Sequence, residues 1–111
     1  MQMSENKAQW EIDGFLEVND NQLTIDGVSS LELAREFGTP LFVFSEKRIQ
    51  GNIKRLKSAE NVVGCKLKIC YAAKANSNMA ILRVVKESGS DLEVNSGGEL
   101  FKAIEIGFQP E

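Results

Sequence analysis

The chain has 111 residues, 42% of them hydrophobic and 26% charged, with a formal net charge of −3. That balance belongs to an ordinary globular chain, and its interspersed acids and bases offer no basic face for nucleic acid. Histidine is absent, which removes His-based triads and most zinc chemistry, so no metal site is expected.

No apolar stretch approaches the ~20 residues of a membrane span, so no membrane partner is expected. The opening MQMSENKAQW lacks the basic region and apolar core of a signal peptide. Residues 1–9 are polar and unpatterned, and read as a mobile lead. Gly14–Val18 and Leu23–Ile25 flank Asn19-Asp20-Asn21-Gln22, which predicts a β-hairpin. Asp26-Gly27 is a second turn signal. Ser29 or Ser30 is placed to cap a short helix, Leu31–Phe37, closed by Gly38. Thr39-Pro40 breaks any helix, and Leu41–Phe44 reads as a fully apolar strand.

A regular pattern follows. Ser45 is a candidate cap for a helix over Glu46–Ala59, with Ile49, Ile53 and Leu56 on one face. Lys66–Ala73 reads as a strand. Asn76-Ser77-Asn78 caps a helix carrying Ile81, Leu82, Val84 and Val85 and stopped by Gly89. Leu92–Val94 reads as a strand. Ser96-Gly97-Gly98-Glu99 then opens a helix with Leu100, Phe101, Ala103 and Ile104, stopped at Gly107. Cys65 and Cys70 stand five apart, and a disulfide between them is not expected, which fits a reducing cytoplasm. The alternation of strand and helix after residue 40 is the rhythm of parallel-sheet α/β proteins. It is expected to be the front of a longer chain, because so short an array leaves sheet edges open.

Lys74 ends the run Lys66–Lys74. Strand alternation puts Leu67, Ile69, Tyr71 and Ala73 on a helix-packed face, and Lys66, Lys68, Cys70, Ala72 and Lys74 on the other. Cys70 is expected there as a small buried apolar residue, and Tyr71 as a core-packing residue. Lys74 thus stands at the C-terminal end of a strand, where βα folds place ligands, beside small neighbours that leave room for a flat group. Partial burial supplies more neutral amine, which can form a Schiff base with a carbonyl. A surface lysine after a strand is the plain alternative.

The run Tyr71-Ala72-Ala73-Lys74-Ala75-Asn76-Ser77-Asn78 resembles the pyridoxal-phosphate lysine motif of the diaminopimelate decarboxylase family, within the alanine-racemase-like, fold-type III decarboxylases. Ile25–Val28, Leu33-Ala34 and Phe37–Val43 resemble the family's opening, and Ser96–Leu100 its glycine-rich segment. The order and spacing match over about residues 15–111. The resemblance implies a pyridoxal 5'-phosphate cofactor held by Lys74 as an internal aldimine. It implies decarboxylation of a small amino-acid substrate, most simply meso-diaminopimelate to L-lysine and carbon dioxide. It also implies a cytoplasmic enzyme that is a homodimer when full length.

The implied fold is α/β. Residues 39–111 would begin a pyridoxal-phosphate-binding TIM-type barrel, and residues 10–38 would form a hairpin and helix associated with a second β-rich domain. Cofactor-binding candidates are Lys74, Ala72 and Glu93. Glu93 shares its strand face with Asp91 and Asn95, and from a neighbouring strand it would stabilise a protonated lysine. Relatives carry Asp there, so Glu93 leaves other substrates open: ornithine, arginine, a carboxy-polyamine or a siderophore precursor. Ser96 and Glu99 fit a capping box, and Asn76 and Asn78 fit helix caps. The family's phosphate loops and stacking histidine have no counterpart in these residues. The segment alone is therefore expected to be inactive, and a truncated interaction fragment is the reading from another class.

Overall fold

The computed structural model describes residues 8–110. Positions 1–7 of the expected lead lie outside the described residues. Ala8 already joins a turn, its amide donating to Glu11 Oε1 at 2.7 Å. The chain divides into two units, Met1–Ser45 and Glu46–Glu111.

In the first unit, β1 (Leu16–Asn19) and β2 (Gln22–Ile25) pair antiparallel, with Leu16 opposite Ile25 and Asn19 opposite Gln22. The predicted hairpin is present. Asp20 and Asn21 turn it with φ of 50° and 60°, the paired left-handed geometry whose twist matches the strands and which Asp and Asn tolerate. Asp26 and Gly27 repeat the device, with φ of 52° and 80°, and lead into a short β3 (Val28–Ser29) paired with β2. Helix α1 (Ser30–Phe37) follows and ends at Gly38. Ser29 stands at its N-cap position without a side-chain capping bond; its hydroxyl donates instead to Gln22 Oε1 across the sheet at 3.1 Å.

The strand expected at Leu41–Phe44 does not form. A strand exists only through a ladder to a neighbour, and no described residue pairs with this run. Phe42 is 87% exposed.

In the second unit, α2 (Glu46–Lys57) stops two residues earlier than expected. Ser58 donates its hydroxyl back to Arg55 O at 2.7 Å, and a separate turn, α3 (Glu60–Val63), closes at Gly64. Ile53 is buried, but Leu56 is exposed, so the inward face of α2 is narrower than its periodicity implied. The strand expected over Lys66–Ala73 shortens to β4 (Cys70–Ala72). A single 3-10 turn, Ala73–Ala75, follows, then α4 (Met79–Glu87), β5 (Asp91–Glu93) and α5 (Gly97–Ile106).

Strands β4 and β5 are parallel, in the register Cys70–Asp91, Tyr71–Leu92 and Ala72–Glu93, so the expected βαβ rhythm is realised here. The register is pinned at its start by Ser90, whose hydroxyl donates to Ile69 O at 3.1 Å while the Asp91 amide bonds the same carbonyl at 2.8 Å. Leu82 and Val85 of α4 and Ala73 are fully buried, with Ala103 of α5 and Ile53 nearly so. Burial of a Leu or Val side chain contributes roughly 1.5–3 kcal/mol, so α4 is the main source of cohesion in this unit. Leu100, Phe101 and Ile104 of α5 are exposed. Among the described residues, no helix is long and apolar enough to cross a membrane.

Candidate functional site

The site is built where β4 ends. Tyr71 is half-buried on the side that packs against the helices, and Cys70 is exposed on the opposite side. The expectation of a buried Cys70 is therefore corrected: its sheet face looks onto an open groove, and the helices cover the other face. Both cysteines are free and exposed.

Lys74 does not continue the strand. It is the middle residue of the Ala73–Ala75 turn, so strand parity stops applying at Ala72. Ala73, with no exposed surface, plugs into the core, and the turn raises Lys74 out at the C-terminal end of the strand. The lysine is exposed. Among the described residues its amine takes part in no hydrogen bond or ion pair. Flanked by Ala72, Ala73 and Ala75, it is open to a flat electrophile.

The segment leaving the turn is tied from three directions. Tyr71 Oη donates to Asn76 O at 3.2 Å, and burial pushes the Tyr71 hydroxyl above its ordinary 10.0. Asn78 caps α4 as expected, its Oδ1 accepting the Ala80 amide at 2.9 Å, while its own amide donates to Asn76 Oδ1 at 3.0 Å. Lys102 of α5 donates to both Ser77 O and Ser77 Oγ, at 3.0 and 2.9 Å. The Lys102 and Tyr71 ties were not foreseen in the sequence. Tyr71 carried a faint signal, an aromatic hydroxyl five residues before a polar cap, whereas Lys102 carried none.

Glu93 ends β5 as the direct cross-strand partner of Ala72. In a parallel pair, partners share a sheet face, so the three candidates gather at the C-terminal ends of two adjacent strands. Asp91 lies on the same face beside Cys70 and sits 3.8 Å from Lys68 Nζ, a half-exposed pair of small energetic weight. A groove of about 450 Å³ runs along β5, lined among others by Cys70, Asp91, Glu93, Leu100 and Ile104. Lys74 does not line it.

Helix α5 begins just beyond. Ser96 Oγ accepts the Glu99 amide at 3.2 Å, as a capping box requires. The return bond differs: Glu99 Oε2 accepts the amide of Asn95 at 2.7 Å, one residue ahead of the cap. Glu99 is thereby occupied structurally, and both bonds hold the chain that leaves Glu93.

A profile of the pyridoxal-dependent decarboxylases, pyridoxal binding domain, matches residues 49–111. The chain belongs to this family of pyridoxal-dependent decarboxylases. Among curated relatives, the diaminopimelate decarboxylase of Methanothermobacter thermautotrophicus is 42% identical over 97 residues, which cover 86% of this chain and 23% of the relative. That of Aquifex aeolicus is 40% identical over 101 residues, 91% of this chain and 23% of the relative. The crystal structure of M. jannaschii diaminopimelate decarboxylase in complex with L-lysine superposes with a TM-score of 0.76 at 41% identity, over 83% of this chain and 22% of that one. The chain thus spans less than a quarter of the length of these relatives.

Proposed function

We propose that the full-length protein is a pyridoxal-phosphate-dependent decarboxylase that converts meso-diaminopimelate to L-lysine and carbon dioxide, with Lys74 as the residue that holds the cofactor covalently. The observation that carries the reading is the exposed, unpartnered amine of Lys74 at the end of β4, inside the segment matched by the family profile. The substrate assignment is supported by the relatives' identity and by the L-lysine found with the M. jannaschii neighbour.

The donor set fits such a cofactor at its aldehyde end: one amine, small neighbours, and no competing nucleophile within the turn. When bound, pyridoxal phosphate supplies a ring that takes up the electron pair left by a departing carboxylate. The chain's own residues do the rest. The Ala73–Ala75 turn orients the Lys74 amine, Ala72 leaves space beside it, and Glu93 brings a carboxylate to the end of the neighbouring strand. Residues 39–111 then begin the cofactor-binding barrel, and 10–38 belong with a second, β-rich domain. The same reading carries a homodimer of the full chain in a cytoplasmic setting.

The test is borohydride reduction of the full-length protein loaded with pyridoxal phosphate, followed by peptide mapping and by carbon dioxide release from a panel of amino acids. A label on Lys74 and release from meso-diaminopimelate are expected. A label on another lysine sinks the cofactor assignment. Release from ornithine or arginine alone sinks the substrate.

A further inference from the structure

We infer that Lys102 is a positioning residue for Lys74, acting at a distance through Ser77; the inference rests on the cofactor role proposed for Lys74. A surface lysine ordinarily leaves its ammonium in water. Lys102 is half-buried on α5 and commits two donors to one residue 25 positions earlier in the chain, the carbonyl and hydroxyl of Ser77. Ser77 lies three residues beyond Lys74, between two positions that are held locally: Asn76 by Tyr71 of β4, and Asn78 by the first turn of α4.

Of these three ties among the described residues, the one at Ser77 reaches α5. It couples the exit of the lysine turn to α5, the helix whose cap also holds the chain leaving Glu93. One cation therefore connects the two strand ends that carry the candidate residues. A plain packing role would need only the lysine's methylene stem, and the paired donation to O and Oγ would then be idle.

The experiment uses the full-length chain with Lys102→Met, Lys102→Arg and Ser77→Ala. Amide hydrogen exchange is followed over residues 74–82 without cofactor, where Asn78 and Ala80 carry the reporting hydrogen bonds. Circular dichroism of the bound-cofactor band is followed with cofactor present. Lys102→Met is expected to speed exchange at Asn78 and Ala80 about tenfold, as loss of a charge-assisted bond implies, and to diminish the dichroic band. Lys102→Arg, which keeps two donors in reach, is expected to restore both.

Unchanged exchange or an unchanged band in Lys102→Met overturns the inference. Should that variant fail to fold, Ser77→Ala, which removes one acceptor, must move both readouts the same way by a smaller amount, and no movement overturns it equally. Borohydride labelling of the unaltered chain separates the two ideas. A label away from Lys74 defeats the cofactor reading itself, whereas a label on Lys74 with unchanged exchange defeats only the role of Lys102.

Discussion

Ala72 and Glu93 are direct partners in the parallel β4–β5 ladder, side by side on one sheet face. Ala72 thus presents only a methyl group to the space beside Glu93. Replacing it with leucine fills that space without touching either charge. In the full-length chain, Ala72→Leu should weaken pyridoxal phosphate capture by about tenfold or more, since small displacements of a reacting group are costly. An absorbance titration reads this, and near-native affinity would show that the space is not used.

Leu82 carries no exposed surface and sits on the helix that crosses between the two strands. Leu82→Ala should cost about 2–5 kcal/mol, the transfer loss plus the cavity left behind. Urea unfolding of the full-length chain measures it. Leu56→Ala, on an exposed position of α2, should cost well under half of that.

Tyr71→Phe removes the donor to Asn76 O and keeps the ring. The cost should be about 0.5–1.5 kcal/mol, that of one ordinary hydrogen bond. The pH dependence has a definite sign. Burial raises the Tyr71 pKa above 10.0, so its contribution is complete below 10.0 and is lost as pH climbs through the higher folded value. Comparing unaltered and Tyr71→Phe chains between pH 8 and pH 11 (a window of about three units around the ordinary tyrosine value) should show the difference shrinking at the alkaline end.

Glu60 takes the ammonium of Lys57 at 2.8 Å and the amide of Leu67 at 2.6 Å. The Lys57 bond first, then the Leu67 amide, hold its carboxyl below the ordinary 4.5. The sign is opposite to that of Tyr71: the stabilisation is present above 4.5 and disappears as pH falls through the lowered value. Glu60→Gln should therefore narrow the gap in stability between neutral and acid solution, read by urea midpoints at both. An unchanged gap would mean that the loop before β4 is not held by this carboxylate.

Local chemistry was the legible part of the sequence. The Asn/Asp turn gave away the first hairpin, Asn78 and Gly107 marked the ends of helices, and alternation correctly separated Ile69 and Tyr71 from Lys68 and Cys70. Each of these depends on neighbours a few residues apart. Strand counting misplaced Lys74 because counting assumes that a strand continues; burial of Ala73 ends β4 and begins a turn. Leu41–Phe44 misled for a related reason, since an apolar run has strand character only when another strand accepts it. Lys102 was illegible because its partner is 25 residues away, and nothing in the spacing of a helix names the loop its cation will reach.

The bonds that shape the exit from the Lys74 turn are short in sequence: five residues from Tyr71 to Asn76, two from Asn76 to Asn78 and two from Asn78 to Ala80. Closing loops that small loses little chain entropy. The stretch from Tyr71 to Ala80 therefore carries most of its own shape, in the manner of a cassette. Moved as a block onto the end of a strand in another parallel sheet, it should bring the lysine's presentation along, provided the host pairs the strand, buries Ala73 and rebuilds the Ser77 anchor.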